Sequence, residues 1–327
     1  MANKEHLHRL REGVESWNQW REVESIRPIL SGAILKKADL SGADLNNADL
    51  NGAILSGADL SGADLSDANL KGASFRGADL RHADLNDADL DGADLSGADL
   101  TNADLANIDL GGVKLRFASL SDTILTKVKF TNADLSNVNF SNSDLSGTNL
   151  SNTDLSGANL SGALLIGSQL LGSDLTAAIL TGACIQDWNI NNMTQLNNIT
   201  CDYIYQKNNS DEYYDLAKCQ PSDRRPSDPN NIFAPGEFTK LFQKALSTID
   251  LIFRNGVDWE ALSLSLNKLR VEAEGVEISV QAIENKDDGT FIVRLKTPPG
   301  ANNAEIEKYI KQEYESKEKL SRAQHKL

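Results

Sequence analysis

From Pro28 to Ile190 the large apolar side chains recur at every fifth position without a break. Leu or Phe stands at Leu30, Leu35, Leu40 and onward to Leu180, with Ile185 last and Phe75, Phe130 and Phe140 as the aromatic replacements, 32 phrases in one register. Two positions before each large residue the side chain is small: Ala from Ala33 to Ala103, then a mixture that includes Ile108, Val113, Thr123 and Val128. The residue just before the centre is usually Asp or Asn, and the two after it are usually Ser, Asn or Gly. A period of five fits neither the 3.6-residue helix nor the two-residue strand. It requires a chain that turns a corner once per phrase, where Gly and Asn accept the turn conformations. The large and small residues then face inward and the other three face water. Each coil buries its inner face only by stacking on the next, so the pattern predicts a solenoid.

On either side the period changes. Leu7, Leu10, Val14 and Trp17 recur at helical spacing within residues 4–25, so residues 1–27 are expected to form a helix that caps the first coil. Trp188 takes a small-residue position and reads as a plug, and residues 191–220, with Tyr203, Tyr205, Tyr213 and Tyr214, as a second cap. The Pro-, Ser- and Asp-rich stretch 221–231 reads as a linker. Residues 232–327 have the pattern of a small α+β domain. A helix is expected through Phe238, Leu241, Phe242, Leu246, Ile249 and Phe253, and a second from Asp258 through Leu269. A hairpin comes next, Val276 to Ala282 and Phe291 to Leu295 about a turn at Asp288-Gly289, then a charged helix over 302–319.

Phrases such as Ala38-Asp39-Leu40-Ser41-Gly42 and Ala58-Asp59-Leu60-Ser61-Gly62 resemble the pentapeptide-repeat family. The resemblance implies a mainly β chain, a right-handed quadrilateral parallel β-helix of about eight coils with four phrases each, here with an N-terminal helical cap and the C-terminal α+β domain. It leaves function open, because the family includes many unrelated roles. The stretch FAPGEFTKLFQKALSTIDLIFRNGVDW is similar to an extension on some cyanobacterial members. With four phrases per coil, residues 20 apart stack, and the residues before the centres become surface columns. Asp39, Asp59, Asp79 and Asp99 form one ladder of carboxylates, and Asp44, Asp64, Asp84 and Asp104 form its neighbour.

A net charge of −15 argues against direct binding of nucleic acid or of an anionic membrane, and favours a protein partner with a basic surface. The first residues lack the apolar core of a secretory signal and no apolar run is long enough to span a bilayer, so a cytoplasmic protein is expected. Candidate chemistry is sparse. Cys184, Cys201 and Cys219 have no metal-ligand spacing and read as reduced structural thiols. His6 and His8 read as exposed surface residues and His82 as a lone corner histidine. No nucleophile, base and carboxylate converge, and the glycines recur because the corners do, so neither enzyme activity nor a cofactor or metal is expected. An active site in the terminal domain would need a cleft around Glu260, Arg270 and Glu284. Arg224-Arg225-Pro226-Ser227 has the form of a basophilic kinase site.

Two surfaces stand out. The eight ladder aspartates are either the repeat's common residue copied from coil to coil or an acidic binding surface. Leu164, Ile166, Leu171 and Ile179 take outward positions held earlier by polar residues, and are expected to be covered by the next segment of chain, the terminal domain or a second subunit, so that a homodimer is compatible with the sequence. These features describe a non-catalytic scaffold or protein-interaction protein. The alternative is a DNA mimic that inhibits or protects a basic DNA-binding enzyme such as a gyrase, as the gyrase-protecting members of the resembled family do.

Overall fold

The computed structural model describes residues 1–24, 26–105, 107–126, 128–208, 221–246, 248–254, 257–272, 278–286, 290–298, 301 and 303–324. It divides into two compact units, Met1–Asn189 with Thr194–Thr239, and Ile190–Met193 with Lys240–Leu327.

In the first unit each phrase closes a tight turn. The Ala33 N–H donates to the Leu30 carbonyl at 2.9 Å, and Gly32 between them has φ +69°. This is the type II geometry, which needs a positive φ at its third residue and so selects Gly or Asn. The residue before the centre completes the corner. Asp59 Oδ1 accepts the Ser61 N–H at 2.9 Å and the Ser61 hydroxyl at 2.7 Å, and Asn139 Oδ1 accepts the Ser141 N–H at 3.1 Å. Asp and Asn alternate in the phrase because each offers that one acceptor.

Parallel bridges join residues 20 apart, from Ile29↔Asp49 to Gln169↔Asn189, and make the turns a β-helix. Leu30 donates to Asp49 O at 2.7 Å while Asp49 donates to Pro28 O at 2.8 Å, so the inner backbone is paired coil to coil. Leucines and small residues fill the interior, with Phe130 and Phe140 edge to face at 5.9 Å.

One rung is missing. Among the described residues no bridge joins Asp89 to Asp109. The small-residue column there reads Ala48, Ala68, Ala88, then Ile108 and Val128, with Phe130 replacing leucine below Leu110. Branched groups where alanine sat before overfill the coil and hold the strands apart.

The ladder does not stop where the phrase dissolves. Asp174↔Gln195, Ile179↔Thr200 and Cys184↔Tyr205 continue it at a spacing of 21, so residues expected to form a cap supply further rungs. The extra residue lies between Asn189 and Gln195. β1 (Ile204–Asn208) then pairs antiparallel with β2 (Pro221–Arg225), so the first part of the expected linker is a strand. Arg224 holds the turn beyond β2: its guanidinium lies 4.3 Å over the Tyr203 ring and donates to Asp228 O at 2.8 Å and Asn231 O at 3.1 Å. The first arginine of the kinase-like motif is thus a structural clamp. Tyr213, Tyr214 and Cys219 lie outside the described residues.

The expected N-terminal helix is two, α1 (Lys4–Arg11) and α2 (Val14–Val23), broken at Gly13 with φ +119°. They cover the open end of the ladder. Trp17, fully buried, donates Nε1–H to Asp44 O at 2.7 Å, and Asn18 exchanges bonds with Gly42 O and Asp44 N, each at 2.9 Å. Asn3 donates its N–H to Ile29 O at 2.8 Å, and His6 Nδ1 accepts the Ile29 N–H at 3.0 Å. His6 is 5% exposed, so the expectation of a surface histidine is corrected: its ring nitrogen is an edge acceptor.

In the chain order, α3 (Glu237–Leu246), β3 (Thr248–Phe253), α4 (Trp259–Glu272), β4 (Ser279–Asn285), β5 (Phe291–Lys296) and α5 (Asn303–Gln324) complete the fold. The strands form an antiparallel sheet in the order β3-β5-β4. The first expected helix therefore ends at Leu246, and its supposed continuation is β3, with Ile249 paired to Leu295 and Leu251 to Val293. Those four residues pack with Leu262, Ile306 and Ile310 in one core. Asp258 Oδ1 caps α4 by accepting the Ala261 N–H at 3.0 Å. Val276 and the Asp288-Gly289 turn lie outside the described residues.

Candidate interaction surfaces of the rod

The bridges bring the sequence-derived carboxylates together. Asp39, Asp59, Asp79 and Asp99 occupy successive rungs of one face, and Asp44, Asp64, Asp84 and Asp104 those of another. Their charge is unevenly offset. The Arg21 guanidinium of α2 lies 3.3 Å from Asp44, and Arg81 pairs with Asp79 at 2.5 Å and reaches Asp99 at 3.9 Å. Asp39, Asp59, Asp64 and Asp84 form no ion pair with a described residue. The Ser41 hydroxyl and then its N–H hold the Asp39 carboxyl below the usual carboxylate range, and the Arg81 hydrogen bond does the same for Asp79. Burial is the largest influence on Asp94 and acts upward, yet bonds from Ser96 and Arg76 together bring it below its ordinary value.

Asp144 is the exception among these residues. It is fully buried between Ile124 and Leu164 on its column, with Oδ1 accepting the Ser146 N–H at 2.9 Å and Oδ2 without a hydrogen-bond partner among the described residues. Burial pushes its carboxyl up.

Of the four residues expected to form an apolar contact patch, Leu164 and Ile166 are buried with Cys184, and Tyr205 packs on them. The added rung at Tyr205 already covers them, so only the half-buried Leu171 and Ile179 have area left to offer. Cys184 and Cys201 are buried thiols with no disulfide among the described residues, and burial pushes the Cys201 thiol up to about 12.

At the missing rung a hollow of about 700 Å³ is lined by Ala88, Asp89, Leu90 and Asp109 among others, and beside it one of about 820 Å³ is lined by Asp104, Ile108, Asp109, Asp122, Ile124 and Val128 among others, with Lys129 3.5 Å from Asp109. The sequence signal for it is the switch from Ala88 to Ile108 and Val128, visible only when residues 20 apart are compared. The clasp of Trp17, Asn18 and Arg21 around Asp44 leaves no comparable signal. In the second unit, Glu284 pairs with Lys286 at 2.7 Å and Arg294 at 3.6 Å while Glu260 is exposed in the first turn of α4. His82 sits at a corner with φ +59° and His8 pairs with Glu12 at 3.3 Å. Among the described residues no three His, Cys, Asp or Glu side chains are grouped to hold a metal ion, and no helix is long and apolar enough to cross a membrane.

Stacked five-residue turns with an inward leucine and an Asp or Asn cap define a pentapeptide solenoid. The pentapeptide-repeat family model matches residues 30–62, 63–102 and 143–182, and the model of a pentapeptide repeat region matches residues 83–160. Through this rod the chain belongs to the pentapeptide-repeat family, whose fold is a right-handed β-helix. Among solved structures it is similar to HetL, a pentapeptide repeat protein involved in heterocyst differentiation regulation from the cyanobacterium Nostoc sp. strain PCC 7120. The two are 28% identical over 54% of this chain and 84% of HetL, with a TM-score of 0.31. It is also similar to QnrB1, a plasmid-mediated fluoroquinolone resistance protein, at 25% identity over 47% of this chain and 78% of that one, with a TM-score of 0.33. No curated protein matches the chain.

Proposed function

We propose that the protein is a non-catalytic scaffold whose rod holds a basic protein surface and whose α+β unit is a second interaction module. One observation carries this reading: the turns fix Asp59, Asp64 and Asp84 on stacked rungs, each with Oδ1 engaged in the corner, and none is ion-paired to a described residue. A partner meets charges already in place, so little ordering is needed on binding. The DNA-mimic reading is less favoured. A duplex presents one charge per about 1.7 Å without interruption, whereas Arg21 and Arg81 offset Asp44, Asp79 and Asp99. The buried thiols of Cys184 and Cys201, with no disulfide among the described residues, accord with a cytoplasmic, reducing location.

The test is capture of partners by the full chain and by a variant with Asp59→Asn, Asp64→Asn and Asp84→Asn. Asparagine keeps the corner acceptor, so the fold persists while the charge is lost. Basic proteins should be held by the wild type, released by salt as exposed charges become screened beyond about 8 to 10 Å, and lost from the variant. Equal capture by both would overturn the acidic surface as the binding site.

A further inference from the structure

One corner of the rod has the opposite chemistry to the ladders. Ile34 and Ile54 share a rung and are 65% and 41% exposed. The corner after them carries Lys36 and Lys37, then Arg76 two coils on and Arg116 with Phe117 two coils beyond that, since residues 20 apart share a column. Between these the corner is Gly57, Gly77 and Gly97, so no side chain walls off the row.

Phe117 is the telling residue. It is 59% exposed with φ +61°, a left-handed conformation that Gly occupies in the coils just before it. A bulky side chain in that region is a backbone outlier, and such outliers direct attention to function. The Arg116 guanidinium lies 4.9 Å over the Phe117 ring. Lys71, Arg76, Arg81 and Lys129 each pair with a carboxylate, but Lys36, Lys37 and Arg116 form no ion pair with a described residue.

We propose that Ile34, Lys36, Lys37, Ile54, Arg116 and Phe117 form a docking stripe for an acidic amphipathic segment of a protein partner. Its carboxylates meet the three unpaired cations and its apolar side chains cover the isoleucines and the phenylalanine. The stripe spans about four coils, about 20 Å at roughly 4.8 Å per strand spacing, which a helix of about 13 residues matches at 1.5 Å per residue. A protein segment fits better than a polyanion. The net charge of −15 repels a long nucleic acid or an anionic membrane, and exposed isoleucines offer a phosphate backbone no contact. Asp59 borders the stripe's corner at Gly57, whereas Asp64 and Asp84 lie on a different face, so Asp64→Asn plus Asp84→Asn distinguishes the acidic surface from the stripe.

The test is selection on the immobilised full-length protein from a phage-displayed library of random peptides of about 16 residues, a length that covers the stripe as a helix. Enriched peptides should combine Glu or Asp with Leu, Ile or Phe at helical spacing. Their affinity, read by fluorescence anisotropy, should fall at least about tenfold with Ile34→Ser plus Phe117→Gly, as for the anchor residues of other interfaces. It should fall further, with loss of salt sensitivity, with Lys36→Gln plus Lys37→Gln. Phe117→Gly suits the corner conformation, so this variant should melt no lower than the wild type, which separates lost binding from lost folding. No enrichment, purely basic peptides, or acidic peptides indifferent to these substitutions would each overturn the proposal. Heparin or phosphatidylserine vesicles bound through Lys36 and Arg116 more tightly than any peptide would overturn it in favour of a polyanion or a membrane.

Discussion

The two oxygens of a ladder carboxylate have different roles. Asp59 Oδ1 holds the Ser61 N–H and closes the corner, which leaves Oδ2 to carry charge outward. Asp59→Asn should therefore keep its stability in urea denaturation, whereas Asp59→Ala should lose about 1 kcal/mol, the typical net worth of one such bond. The interchange of Asp and Asn in the phrase was legible in the sequence, but its cause was not. The corner bond shows what the side chain contributes. Asp144 inverts the relation of charge to stability. Its raised carboxyl binds a proton more readily in the folded than in the unfolded chain. Stability is then greatest at and below the ordinary value of 3.8 and declines as pH rises through the raised one. Asp144→Asn, which keeps the acceptor for Ser146, should melt higher than the wild type at pH 7, and the gap should close as the solution is acidified toward the ordinary value.

Among the elements, the helical cap is the one whose loss the rod would feel most. Trp17 is fully buried and its indole satisfies Asp44 O, so Trp17→Ala should cost about 3 to 5 kcal/mol, as large aromatic truncations do. Chemical denaturation tracked by tryptophan-independent far-UV dichroism checks this. His6 should give the cap a pH dependence. Burial, the main cause, lowers its imidazole below 6.5, opposed by Glu5 and assisted by Arg9. As pH falls below 6.5 the unfolded chain takes up the proton first, so the stability from the neutral ring is present above that value and is lost below it. The melting midpoint should drop between pH 7.5 and 5.5, and His6→Gln should flatten the drop. The cap was legible as an amphipathic helix, and Gly13 marks its break. Strand β3 was not legible, because Ile249 and Phe253 also stand four residues apart and so continue a helical spacing. Its alternation of Ile249, Leu251 and Phe253 with Thr248 and Asp250 became decisive only once β5 offered a partner. Strand β2 was hidden for another reason: a polar hairpin strand is held by backbone pairing, which composition does not report.

For the molecule as a whole, the β-helix was legible because a single period governs half the chain. The hollow near Asp109 was not, since overfilling arises between residues 20 apart and the eye takes the sequence in fives. The same arithmetic predicts how the rod tolerates length changes. Removing residues 61–80 takes out one coil and leaves every downstream column facing as before, so the variant should retain the parent's dichroism spectrum and a cooperative melt. Removing residues 61–65 should also leave a folded rod, because each phrase closes its own corner. Every column beyond the cut would then shift by one face, and Asp44 would stack against Asn69 in place of Asp64. The rod is in this sense indexed like a dial. Anything attached beyond it can be moved only in clicks of a quarter turn, or advanced by about 4.8 Å per full revolution. Gaining or losing one phrase would re-aim whatever follows the rod, and gaining or losing four would change only its reach.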